Sequence, residues 1–220
     1  MGFDQCYLLK AERSVLVDAG APGEVRALRK ALGRSGISPR QIGLIVITHG
    51  HWDHIGCARD IKDLTGAKIA MHSHDARWLE EGETPLSPGI TLWGRWFIGF
   101  HRWFMPFIRI PTVKIDFQLD ESGMDLAPFG VPGRVVHTPG HTHGSVSVLL
   151  DTGEAFVGDL VMNRLPLRRK PGMAIFGEDE DLMRTSLVKL AELGAGIIYP
   201  AHGKPFELEN LIRHLDGNNK

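Results

Sequence analysis

Six consecutive residues, His49-Gly50-His51-Trp52-Asp53-His54, carry four side chains able to bind a metal ion. Neutral imidazoles and carboxylates are good ligands for zinc and for the neighbouring divalent first-row metals. Any one of these could be a solvated loop residue, but four within six positions point to a shared task. Three more ligand-type residues follow: His141 in Pro139-Gly140-His141-Thr142-His143-Gly144-Ser145, Asp159 closing Ala155-Phe156-Val157-Gly158-Asp159, and His202 in Tyr199-Pro200-Ala201-His202-Gly203. The chemistry such a set suits is metal-assisted hydrolysis. A divalent ion depresses the pKa of a water bound to it, so that hydroxide is available at neutral pH to attack a carbonyl carbon or phosphorus. Asp53 has two carboxylate oxygens and can orient that nucleophile while binding a metal, which makes it the candidate catalytic residue.

Each ligand must be delivered by an element. The apolar run at 42–47 reads as a buried strand with the histidine cluster at its carboxyl end, where ligands collect in α/β proteins. His141, Asp159 and His202 each follow another short apolar run. The remaining pattern predicts strands at 7–9, 14–17, 68–71, 113–117, 134–137, 146–150, 154–157 and 196–199. Helices are predicted at 24–34, 55–64, 179–193 and 208–215. Alternation of this kind favours sheets covered by helices.

The ordered pattern H-x-H-x-D-H, a later His, an Asp and a final His resembles the metallo-β-lactamase-fold hydrolase superfamily at every ligand position. Asp18-Ala19-Gly20 is similar to that family's early Asp-x-Gly turn. The resemblance implies a four-layer αββα sandwich with two divalent metal ions at one edge, zinc by default, with iron or manganese as alternatives. It implies His49, His51 and His141 on the first metal, Asp53, His54 and His202 on the second, and Asp159 bridging. Asp18 would orient a ligand histidine from the second shell of residues, although before Gly20 it reads equally as a turn residue. Asp at the bridging position, where one group of β-lactam-cleaving relatives carries Cys, looks more like the glyoxalase II, lactonase and phosphodiesterase branches. His51, where oxygen-reducing di-iron relatives carry Glu, argues for hydrolysis. There are departures. Met162 stands where typical quorum-signal lactonases carry Tyr, and eighteen residues follow His202 here, where typical glyoxalase II enzymes carry a glutathione-holding helical domain. Relatives usually begin with an extra strand ahead of the segment matching Gln5-Cys6-Tyr7, and this chain starts almost there.

Residues 87–112 read as a helical insertion on the substrate side. Trp93, Trp96, Phe97, Phe100, Trp103, Phe104 and Phe107 recur at helical spacing. The stripe fits core packing, a hydrophobic lid with Trp96 and Phe100 facing substrate, or a homodimer or membrane-surface face. It is too short, and too interrupted by Arg95, His101, Arg102 and Arg109, to span a membrane. Met162 and His143 are further substrate-side candidates, His143 as a proton donor. The basic stretch 164–170 fits an anion-binding or a solvated loop, and His72 and His74 read as helix-start or rim residues.

At 43% hydrophobic and 23% charged, the 220 residues suit one compact domain spanning 1–220. A net charge of −1 gives no general steering toward nucleic acid, and none is expected as a partner. Cys6 and Cys57 offer no disulfide framework, and no signal segment is recognisable, so a cytoplasmic location is expected. The expected activity is hydrolysis of a carboxylic thioester, ester or lactone bearing a hydrophobic group. Phosphodiester cleavage at the same site is the alternative, as is a mononuclear-iron sulfur dioxygenase.

Overall fold

A computed structural model describes residues 4–164 and 166–217. Two sheets face each other. The first runs in the order β1 (Tyr7–Leu9), β2 (Ser14–Val17), β3 (Ile42–Val46), β4 (Lys68–His72), β5 (Phe117–Leu119). β1 is antiparallel to β2, and the pairs from β2 to β5 are parallel. The second sheet contains β6 (Met124–Asp125), β7 (Gly133–His137), β8 (Val146–Leu150), β9 (Glu154–Phe156), β12 (Ile197–Tyr199) and β13 (Phe206–Glu207), with β12 parallel to β9 and flanked on its other edge by β13. A small ribbon pairs β10 (Val161–Met162) with β11 (Gly172–Met173).

Residue alternation along the strands builds three apolar layers between four structural ones. Val15, Val17, Leu44, Val46 and Ala70 of the first sheet meet Val135, Val146, Val148 and Phe156 of the second. The intervening Leu16, Ile45, Ile69 and Met71 point the other way. They pack under α1 (Val25–Ser35), α2 (Trp52–Ile55), α3 (Ala58–Thr65) and α4 (Ser73–Glu81), through Leu28, Leu32, Ile61 and Leu79. On the far side Val136, Leu149 and Ala155 pack against Met183, Leu187 and Leu190 of α6 (Glu180–Glu192) and Leu208 and Leu211 of α7 (Leu208–Gly217). This is the four-layer αββα sandwich that the resemblance implied. Asp179 caps α6, its Oδ1 accepting from Leu182 N at 2.9 Å, with Glu180 and Asp181 in the first turn opposite the helix dipole.

Three elements differ from expectation. The predicted helix over 55–64 is two pieces, because Cys57 is the N-cap of α3 and its Sγ donates to Ala21 O at 3.0 Å. Residues 113–116 are not strand; their amides reach back to Leu79 O, the Glu80 carboxylate and Ile69 O, and pairing with β4 begins only at Phe117. The 87–112 segment contains α5 (Leu92–His101), which Thr91 caps by accepting from Gly94 N at 2.9 Å, and a one-turn 3₁₀ helix at Met105–Phe107. Among the described residues no helix is long and apolar enough to cross a membrane.

Candidate metal centre

The turn after β3 delivers Thr48 through His51, and α2 carries Asp53 and His54. His141 lies on the β7–β8 loop, Asp159 follows β9 and His202 follows β12. All seven sequence-predicted ligands converge and are at most 7% exposed. His49 Nε2, His51 Nδ1 and His141 Nε2 come together, His51 Nδ1 lying 3.0 Å from each of the other two. Asp159 lies between this group and the rest. Its Oδ2 is 3.8 Å from His141 Nε2 and 3.3 Å from His202 Nε2, while its Oδ1 is 3.5 Å from His54 Nε2. Asp53 Oδ2 is 3.3 Å from His202 Nε2. Three overlapping triads therefore have their ligand atoms within 4.8 Å of one another: His49/His51/His141, His49/His54/Asp159 and Asp53/His54/His202.

The donor chemistry fits cations. Three ring nitrogens facing one another at this spacing cannot all be satisfied by protons they share. His54 Nε2 and Asp159 Oδ1 are buried without a hydrogen-bond partner among the described residues. Such orphaned atoms are costly unless something binds them. The opposite ring nitrogens are held from behind, as metal-ligating histidines require. His49 Nδ1 lies 3.1 Å from Thr48 Oγ1, His51 Nε2 3.1 Å from Ser87 Oγ, His54 Nδ1 2.9 Å from Asp18 Oδ2, and His141 Nδ1 3.0 Å from Phe176 O.

Charge divides the site. Burial lowers the pKa of His49, His51 and His141, with His51 taken down to about 3, so these rings are neutral. Burial alone would lower His54 too, but Asp18, Asp159 and Asp53 hold it well above the ordinary histidine value. His202 is raised to about 10 by Asp159 and Asp53, against its own burial. In return, His54 and His202 hold the Asp53 and Asp159 carboxyls below the ordinary range, although burial acts to raise both.

Asp18 lies behind His54, on the side away from the other ligands. It sits at φ 63, an uncommon backbone for a residue with a Cβ. Its carboxylate accepts from Thr48 N at 2.8 Å and Thr48 Oγ1 at 2.9 Å as well as facing His54. Gly158 must be glycine because a Cβ there would lie 2.5 Å from Thr48 Oγ1, and its φ of 53 turns the chain into Asp159. Asp18→Asn is expected to weaken metal binding by about 10–100-fold with the fold retained. Unchanged affinity in a metal titration would contradict the role of Asp18.

The substrate-side assignments need correction. Met162 is fully buried, pairs with Gly172 and packs with Met173 and Leu187, so it fills core. Trp96 and Phe100 are exposed and face away from the metal ligands. The His143 ring is paired with Glu178 through Nδ1 at an exposed site and does not line the cavity at the ligands. What closes the site instead is the other face of α5. A cavity of about 30 Å³ is bounded by His51, Asp53, Asp159 and His202 on one side and by Leu86, Phe97, Ile98, His101 and Phe176 on the other. His101 Nδ1 is buried there without a partner among the described residues. Ser145 is structural, its Oγ accepting from Thr142 N at 3.0 Å. His72 caps α4, as its helix-start reading expected.

Sequence reasoning missed Asp75 and Trp78, on α4. Asp75 is 1% exposed and accepts from Gly50 N at 2.9 Å, Thr142 Oγ1 at 2.7 Å and Gly144 N at 3.1 Å, tying the two histidine loops together. Trp78 lies parallel to the His51 ring at 6.3 Å. Asp75 carries no spacing signal because its partners are 25 to 69 residues away.

The sequence matches the profile of the metallo-beta-lactamase superfamily over residues 2–202. An uncharacterized protein of Mycobacterium tuberculosis is 32% identical over 209 residues, covering 90% of this chain and 85% of the relative. A Bacillus subtilis protein named probable metallo-hydrolase is 27% identical over 220 residues, covering 91% of this chain and 79% of the relative. Among solved structures, the BLEG-1 B3 metallo-beta-lactamase superposes with a TM-score of 0.70 at 24% identity, over 94% of this chain and 90% of that one. Ligand order, two-sheet architecture and these likenesses agree: the chain belongs to the metallo-beta-lactamase superfamily.

Proposed function

We propose that the protein is a dinuclear metal-dependent hydrolase acting on a carboxylic thioester, ester or lactone with a hydrophobic group. The observation that carries this reading is the buried Asp159 lying between the His49/His51/His141 and Asp53/His54/His202 triads, beneath a cavity roofed by Leu86, Phe97, Ile98 and Phe176. His49, His51 and His141 would hold one divalent ion, and Asp53, His54 and His202 the other. Five imidazoles and two carboxylates suit zinc, and also iron or manganese. Ions bound there supply Lewis acidity and a nucleophilic oxygen at neutral pH.

The chain's own residues do the rest. Asp53 borders the cavity and would orient the attacking water with one carboxylate oxygen while the other holds a metal. Apolar side chains of α5 exclude bulk water and contact the substrate's hydrophobic part, and His101 offers its unpaired Nδ1 toward the leaving group. The cavity is too small for an acylated substrate, so this reading requires α5 to move outward to admit one. A panel of an acyl thioester, a lactone, a β-lactam and a phosphodiester tests the reading. Turnover of a carbonyl substrate by metal-loaded protein, lost in Asp53→Ala, is the expected result. Turnover of the phosphodiester alone would favour the second reading, whose support is a surface hollow lined by Arg164, Arg169 and Lys204 beside Gly203. One iron per chain without hydrolysis would favour the sulfur dioxygenase.

Metal uptake should be strongly pH-dependent. In the metal-free protein His54 and His202 carry protons at pH 7, whereas His49, His51 and His141 do not. Loading must expel those protons, so apparent affinity should fall as pH drops, by about tenfold per pH unit for each proton displaced. For His202 the metal-free stability gain is complete below the unfolded value of 6.5 and is lost as pH rises through about 10. Proton release on adding zinc, followed with a pH indicator in weak buffer, checks this; uptake without release would contradict it.

A further inference from the structure

α5 has two apolar faces, and only one is covered. Gly94 is buried, Phe97 stacks on Phe176 at 6.3 Å, and Ile98 and His101 close the metal cavity. The opposite face and the turn after it carry Trp96 (63% exposed), Phe100 (55%), Trp103 (83%), Phe104 (51%) and Phe107 (83%). Their rings form a continuous ridge: Trp96 lies 6.1 Å from Phe100 and nearly parallel to it, and Phe100 lies 5.1 Å from Phe104. A shallow hollow opens among Trp96, Gly99, Phe100, Trp103 and Phe104, with Arg95 on its rim. Soluble monomers rarely leave so large a contiguous aromatic patch in water.

Charge identifies what covers it. Between Glu83 and Asp116 the sequence has no Asp or Glu, in a chain that has 26 of them, while Arg95, Arg102, Arg109 and Lys114 all fall in this stretch. Arg95, Arg102 and Arg109 are exposed. A two-fold contact with a second copy would set this basic segment against its own image, with no acid of the segment to pair with it. A bilayer with anionic headgroups offers both complements at once: an interface for tryptophan and phenylalanine, and negative charge for the arginines.

We propose that the outer face of α5 and the 102–107 turn dock on the surface of an anionic lipid bilayer. Docking does not depend on the hydrolytic reading, since it is measured without turnover. It would set the roof of the metal cavity at the membrane surface, where a lipophilic substrate is concentrated.

The test is co-sedimentation of the metal-loaded protein with vesicles of phosphatidylcholine alone or of phosphatidylcholine with phosphatidylglycerol. Salt-sensitive pelleting with the anionic vesicles, and much less with the neutral ones, is the expected result. Trp103→Ser/Phe107→Ser should reduce that binding at least about tenfold. Arg95→Glu/Arg102→Glu should reduce it at least about thirtyfold. Both variants should keep the metal content and melting temperature of the parent, since all four side chains are exposed. Failure to pellet with anionic vesicles would overturn the proposal, as would pelleting that neither variant changes. A dimer in sedimentation velocity that Trp103→Ser/Phe107→Ser dissolves, without vesicle binding, would assign the face to a second copy instead.

Discussion

Asp159→Ala is expected to lower hydrolysis by about a thousandfold or more and to leave purified protein with at most one metal ion per chain. Asp159 is the carboxylate whose two oxygens reach both groups of histidines, His54 through Oδ1 and His141 and His202 through Oδ2. A shared anion offsets the repulsion between two cations in a buried site, and without it the second ion has no compensating charge. In the metal-free protein the same carboxylate, with Asp53, keeps His202 protonated. Its removal should therefore reduce proton release on loading as well. A ligand that binds only the folded state raises the melting temperature, so zinc should stabilise the parent much more than the variant. Asp159→Asn, which keeps the shape and loses the charge, separates the electrostatic role from packing and should behave almost as badly. Full metal content with full activity in either variant would remove Asp159 from the centre.

Asp75→Ala should destabilise the fold by about 3–5 kcal/mol and loosen metal binding by about 10–100-fold, although Asp75 is not one of the seven ligands. Its carboxylate holds Gly50 N, Thr142 Oγ1 and Gly144 N, all buried, and truncation leaves the two glycine amides without an acceptor and Thr142 Oγ1 with Ser145 Oγ alone. Each such loss costs about 1–3 kcal/mol. Gly50 lies between two ligand histidines, and Thr142 and Gly144 follow the third, so the loops that lose their anchor are those that set the His49/His51/His141 group. Gly144→Ala probes the same contact from the other side, since its Cβ would lie 2.4 Å from Asp75 Oδ1. A melting temperature lowered by about 10 °C, together with weaker zinc binding, is the expected pattern. Parent-like values of both in Asp75→Ala would show that the clamp is idle.

The ligand set was readable because each member sits at the end of an apolar run, and a buried strand must release its chain at the sheet edge. The runs over Ile42–Val46 and Val146–Leu150 are legible for the same reason: five buried or nearly buried residues leave little alternative. Two- and three-residue strands such as β5, β10, β11 and β13 exist only through distant partners, and no local pattern announces them. α5 shows a different limit. A helix wheel identifies its aromatic residues but not which of two apolar faces the rest of the protein covers, so its lid reading falls on Trp96 and Phe100 whereas Phe97, Ile98 and His101 line the cavity. Met162 reads as substrate-side because it stands where lactonases carry Tyr, whereas its pairing with Gly172 turns it into the core.

The most direct test of the metal centre is equilibrium dialysis of metal-free protein against zinc, followed by elemental analysis. Two ions per chain in the parent, with at most one in Asp159→Ala, is the predicted result. One ion or none in the parent would contradict a dinuclear centre built on His49, His51, Asp53, His54, His141, Asp159 and His202.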